Sequence, residues 1–102
     1  GDSILALRRA ARWDGWFGGT CDEHCNTVTP PERVAEIVAT ILKHRTSQEP
    51  FEIALQGVSD PGQVEKIRPY QEAGATWWFE SIFGLRGSID EMMARIQAGP
   101  AK

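Results

Sequence analysis

Ala75-Thr76-Trp77-Trp78-Phe79-Glu80 is the stretch on which the fold class turns. Its centre, Trp77-Trp78-Phe79, is a continuous apolar run. Such a run fits a parallel strand covered on both faces better than an antiparallel strand with one wet face. Gly74, just upstream, suits the left-handed cap that ends a helix. That helix is predicted to start at Asp60-Pro61-Gly62-Gln63 and to turn Val64, Ile67 and Tyr70 inward. Pro69 lies inside it and is expected to bend it near its end, because proline removes a backbone donor. Downstream, Ser88 and Glu91 have the spacing of a helix N-cap, and the helix they open carries Ile89, Met92, Met93 and Ile96 before Gly99-Pro100 stops it.

The same alternation continues toward the N-terminus. Phe51-Glu52-Ile53-Ala54-Leu55-Gln56-Gly57 reads as a strand. Before it, Thr29-Pro30-Pro31-Glu32 predicts a helix start, with Thr29 as cap, Pro30 at the first helical position and Glu32 closing a capping box. Val34, Ile37, Val38, Ile41 and Leu42 recur at the spacing of one buried helix face. Lys43, His44 and Arg45 fall in its last turn, where cations suit the helix dipole. Gly15-Trp16-Phe17 is a short strand, and Asp2 or Ser3 can cap a first helix over roughly residues 4–12, with Ile4, Leu7, Ala10 and Ala11 on one face. The order is therefore α-β-α-β-α-β-α, with no linker, repeat or low-complexity tract. Strands separated by amphipathic helices imply crossover connections and a parallel sheet. Residues 1–102 are expected to form a single α/β segment of three parallel strands alternating with four helices.

Composition narrows the class of function. The 102 residues are 41% hydrophobic and 25% charged, with a net charge of −3, as in a globular domain. No basic run exceeds Arg8-Arg9, so neither a nucleic-acid partner nor a membrane patch is expected. Apolar stretches such as Ile4–Leu7 fall far short of the roughly 20 residues that a membrane span needs. Two cysteines and no export signal point to the cytoplasm. The chain opens on Gly1-Asp2-Ser3 without an initiator Met, which suits a processed or truncated product.

Three parallel strands leave two edges of unpaired N–H and C=O groups. The Trp77–Phe79 aromatics also need a covering layer. Something is therefore expected to complete the sheet: a second copy in a homo-oligomer such as a dimer, or a missing N-terminal half.

The chain-long pattern resembles the luciferase-like flavin-dependent monooxygenase family. Leu7–Phe17, with its Arg8-Arg9-Ala10-Ala11-Arg12-Trp13-Asp14-Gly15 core, is similar to that family's helix-to-strand passage. Thr29–Ile37 looks like its helix start, Ala73–Ser81 like its final strand, and Gly87–Met92 like its closing helix. The resemblance implies the C-terminal part of a (β/α)8 barrel, under half of the about 250 residues such a barrel takes. It also implies FMN, or the 8-hydroxy-5-deazaflavin coenzyme, at the C-terminal strand ends, with oxygen insertion or hydride transfer on a small organic substrate. Gly1-Asp2-Ser3 is similar to the family's turn at the cofactor phosphate. By position, Gln56-Gly57 and Glu80-Ser81 fall at strand ends on the active-site side, and Trp16 and Trp78 have rings that can stack on an isoalloxazine. No nucleophile–base pair is evident, and flavin enzymes let the cofactor carry the chemistry. A chain of this length can equally be a non-catalytic truncated half-barrel that self-associates.

Cys21-Asp22-Glu23-His24-Cys25 departs from the family pattern. Two thiols and an imidazole there can supply three zinc ligands, which would make the chain a small metal-binding module. Structural zinc sites usually draw four ligands from two separated pairs, and only His44 remains elsewhere. A disulfide and a plain surface loop are the alternatives, and no metal ligand is assigned.

Overall fold

The computed structural model describes residues 2–102. Its elements alternate as expected: α1 (Ile4–Ala10), β1 (Gly15–Phe17), α2 (Pro31–His44), β2 (Glu52–Gly57), α3 (Val64–Glu72), β3 (Trp77–Glu80) and α4 (Ile89–Ala98). The strands form one sheet in the order β1-β2-β3, and both pairings are parallel. Phe17 stands opposite Ala54, which stands opposite Trp77, and Gly57 pairs with Glu80. Spatial order thus follows chain order, and the sheet winds in one direction only.

Strand alternation divides the sheet into two unlike faces. Trp16, Ile53, Leu55 and Trp78 point to the helices and join Leu7, Ala11, Val34, Ile37, Ile41 and Tyr70 in or against the core. The opposite face carries Phe17, Trp77 and Phe79, which are 61%, 56% and 50% exposed. The expectation that Trp77–Phe79 is covered on both faces therefore holds for one face. On the open face the rings gather on one another, Phe17 edge-on to Phe79 at 5.6 Å and Trp77 stacked on Phe79 at 6.2 Å. Mutual packing of this kind recovers part of the apolar burial that a covering layer would give.

Among the helices, α2 follows its sequence pattern most closely. Val34, Ile37 and Ile41 are fully buried, whereas Leu42, at the margin of the stripe, is half exposed. Its start is shifted by one residue: Pro30 is the N-cap, no side chain caps it, and Pro31 opens the helix. Of the two N–H groups that a Thr29 cap could hold, Pro31 removes one and leaves that of Glu32. Thr29 instead turns inward, where its Oγ1 accepts from the Thr20 N–H at 2.8 Å and its carbonyl accepts from the Tyr70 hydroxyl at 2.8 Å. Arg45 lies beyond the helix end rather than in its last turn. Its guanidinium donates to the carbonyls of Ala11, Trp13 and Glu49, tying α1 and β1 to the far end of α2.

In α3 the first turn is lost. Residues 60–63 close on themselves, the Gln63 side chain accepting from the Asp60 N–H at 2.9 Å, and the helix begins at Val64. Pro69 sits inside it. Gly74 ends it at φ +117°, and a Cβ there would also meet the Val38 side chain at 3.1 Å, so two constraints select glycine. In α4 the Ser88–Glu91 capping box forms in both directions. Its apolar side chains nevertheless look outward: Ile89, Met93 and Ile96 are exposed, and the buried residue is Arg95. The whole chain exposes 6774 Å², against about 5,700 Å² for a compact monomer of this mass. Its radius of gyration, 14.9 Å, likewise exceeds the ~13 Å of a compact chain this long.

Candidate functional site

Parallel sheets bind ligands beyond the C-terminal ends of their strands, and three groupings meet there. The first lies on the open face. The Gln56 side chain, on β2 opposite Phe79, donates from Nε2 to the Cys21 Sγ at 3.2 Å. Beside it Phe17, Gly18, Gly19, Thr20, Cys21, Thr27 and Gln56 line a cavity of about 250 Å³.

The thiol loop forms the rim of this cavity. Cys21 pairs with Thr27 as an isolated antiparallel bridge. Between them the Asp22 carboxylate accepts from the backbone N–H groups of His24 and Asn26, each at 2.9 Å. Those bonds, that of Asn26 foremost, hold the Asp22 carboxyl below the usual carboxylate range. Cys25 takes the left-handed conformation at φ +61°, and both cysteines are free thiols. Among the described residues no three His, Cys, Asp or Glu side chains come together as a metal site.

The second grouping lies on the helix-facing side. Glu80 leaves the end of β3 and meets the 59–60 and 81–86 segments and α4. One carboxylate oxygen accepts from the Ser59 N–H at 2.6 Å and from Arg86 at 2.7 Å. The other accepts from the Ser59 hydroxyl, the Trp78 indole at 3.2 Å and Arg95 at 3.3 Å. Burial pushes the Glu80 carboxyl up, but the hydrogen bonds from Ser59, Trp78 and Arg86 outweigh it and hold the group below its ordinary value. The Ser59 carbonyl completes the cluster by accepting from both Arg86 and Arg95.

The third grouping is the start of α1. Ser3 caps that helix, its Oγ accepting from the Ala6 N–H at 3.2 Å, and exposed Asp2 reaches Arg33 of α2 at 3.4 Å. Gly1 lies outside the described residues.

The residues singled out in the sequence are therefore distributed rather than pooled. Gln56 sits with the open aromatic face. Trp16 and Trp78 turn to the opposite face, where their rings lie so close over Gly18 and Gly57 that a Cβ at either glycine would strike them. Gly57 and Ser81 are joined by a backbone hydrogen bond of 2.8 Å. Sequence reasoning did not single out Phe17 as a face residue, nor Ser59, Arg86 and Arg95 as partners of Glu80. The signal for Arg95 was present, since it shares a helix stripe with Met92 and Ile96. No helix among the described residues is long and apolar enough to cross a membrane. Compared with known protein families, curated proteins and solved structures, the chain finds no match.

Proposed function

We propose that this chain is part of a luciferase-like, flavin-dependent oxidoreductase and contributes a wall of its (β/α)8 barrel. The observation that carries this reading is the open aromatic face of a one-way parallel sheet whose helices all lie behind it. In a barrel, that face is the lumen, and the strand ends nearest Gln56 are the mouth where ligands sit. Phe17, Trp77 and Phe79 would then offer an apolar surface to the isoalloxazine of FMN or to the 8-hydroxy-5-deazaflavin ring. Gln56 supplies the amide nearest that surface, a group suited to the polar edge of such a ring. The bound coenzyme would supply oxygen or hydride chemistry, and the chain's own side chains would orient it and exclude water.

FMN titration followed by flavin fluorescence tests this. Saturable quenching is expected, weakened about tenfold or more in Phe79→Lys, since that change removes a stacking ring. Absence of saturable quenching in the wild-type chain overturns it. A second reading, a non-catalytic segment that self-associates, draws on the excess surface. The chain exposes roughly 1,000 Å² more than a compact monomer of its mass, and a standard interface takes about 800 Å² from each partner. A colourless protein that takes up no flavin yet sediments as a dimer favours this second reading.

A further inference from the structure

A cavity of about 420 Å³ lies behind the sheet, between α3 and α4, within the usual range for small-molecule sites of about 300–1,000 Å³. Its apolar walls include Val64 and Ile67 of α3, Trp78 of β3, and Ile82 and Ile96, and its polar side chains are Gln71, Glu80 and Arg95. Arg95 is only 7% exposed. A guanidinium has five N–H donors. Arg95 engages three: one to the Ser59 carbonyl at 2.8 Å, one to the Gly99 carbonyl and one to Glu80 at 3.3 Å. Two donors have no partner among the described residues, on a side chain that borders a largely apolar cavity.

The local charge points the same way. Glu80 is shared between two guanidinium groups, Arg86 and Arg95, so Arg95 has no carboxylate to itself. The next carboxylate, Asp60, is 3.8 Å from Arg86 and mostly exposed. Glu80 also borders the cavity, but both of its oxygens are occupied by the donors described above. A buried cation with spare donors is stabilised by an anion that brings its own apolar body. We propose that this cavity binds a small apolar carboxylate, its chain against Ile67 and Ile96 and its carboxylate on the spare N–H groups of Arg95.

The volume equals that of about fourteen water molecules at ~30 Å³ each, which accommodates a medium-chain fatty acid. A single guanidinium, already shared with Glu80, and apolar walls disfavour a phosphate dianion. The site is separate from the open face and does not rest on the flavin reading.

Octanoate is the probe, titrated calorimetrically into the whole chain and followed by amide NMR shifts, with 1-octanol as its neutral analogue. Octanoate is expected to saturate one site, with shifts centred on Val64, Ile67 and Ile96. Octanol is expected to bind about tenfold more weakly or worse, for want of the charge-assisted hydrogen bonds. Arg95→Leu also disturbs Glu80, so Ile67→Trp and Ile96→Trp, which narrow the cavity from opposite walls, supply the specific test. Either, once shown to be folded by its NMR spectrum, should weaken octanoate about tenfold. Absence of saturable binding overturns the proposal. So does equal binding of octanol, undiminished affinity in a folded variant, or shifts centred on Phe17, Trp77 and Phe79.

Discussion

Glu80 receives hydrogen bonds from Ser59, Trp78, Arg86 and Arg95, and its pH response follows from that. Its carboxyl is held below the ordinary glutamate value of about 4.3. The stability it contributes is therefore complete above that value and is lost as pH falls through the lowered one. Urea midpoints measured from neutral pH downward should drop in the wild type, and Glu80→Gln should flatten that drop. Glu80→Ala should cost about 3 kcal/mol at neutral pH, at the low end for removing one partner of a buried ion pair. Gly57→Ala should cost about 1–3 kcal/mol by overpacking, because a Cβ there would lie 2.5 Å from the Trp78 ring. Neither residue's role was legible in the sequence. In the sequence both are simply strand-end residues, until α4 is placed against Glu80 and a tryptophan ring lies across Gly57.

At the scale of elements, what depends on local periodicity was legible and what depends on distant contacts was not. The stripe of α2 fixes its buried face within the helix itself, and Val34, Ile37 and Ile41 are where the 3.6-residue period puts them. Ile37→Ala should cost about 2–5 kcal/mol by chemical denaturation, as a deletion in a fully buried site. The Ser88–Glu91 box was equally legible, since a capping box spans four consecutive residues, and Ser88→Ala should cost about 1 kcal/mol. The starts of α2 and α3 were misplaced because long-range or competing partners claim the expected caps. Thr29 is taken by Thr20 and Tyr70, while the Asp60 N–H is tied to the Gln63 side chain and its carboxylate lies 3.8 Å from Arg86. In the candidate site, the strand ends were found by position, but Trp16 and Gln56 fall on opposite faces. Which face of a strand the helices cover is a property of the assembled sheet, and three residues of β1 are too few to declare it.

At the scale of the whole molecule, the sheet has two free edges and one uncovered aromatic face among the described residues, and the surface exceeds that of a compact monomer. Sedimentation should therefore show concentration-dependent association at micromolar protein, and Trp77→Lys should shift the equilibrium toward monomer. A wild type that stays monomeric throughout would show that the open face tolerates water. The inverted orientation of α4 has a different consequence, one of time rather than of mass. Its buried side chain is Arg95, which holds it to Glu80 of β3 and to the Ser59 carbonyl beyond β2 by charged hydrogen bonds, while Ile89, Met93 and Ile96 stay exposed. Amide protons along α4 should exchange with solvent through local openings, far sooner than those of α2, whose apolar face is locked in the core. Acidification that protonates Glu80 should widen that gap, so that one helix comes and goes while the rest of the fold stands.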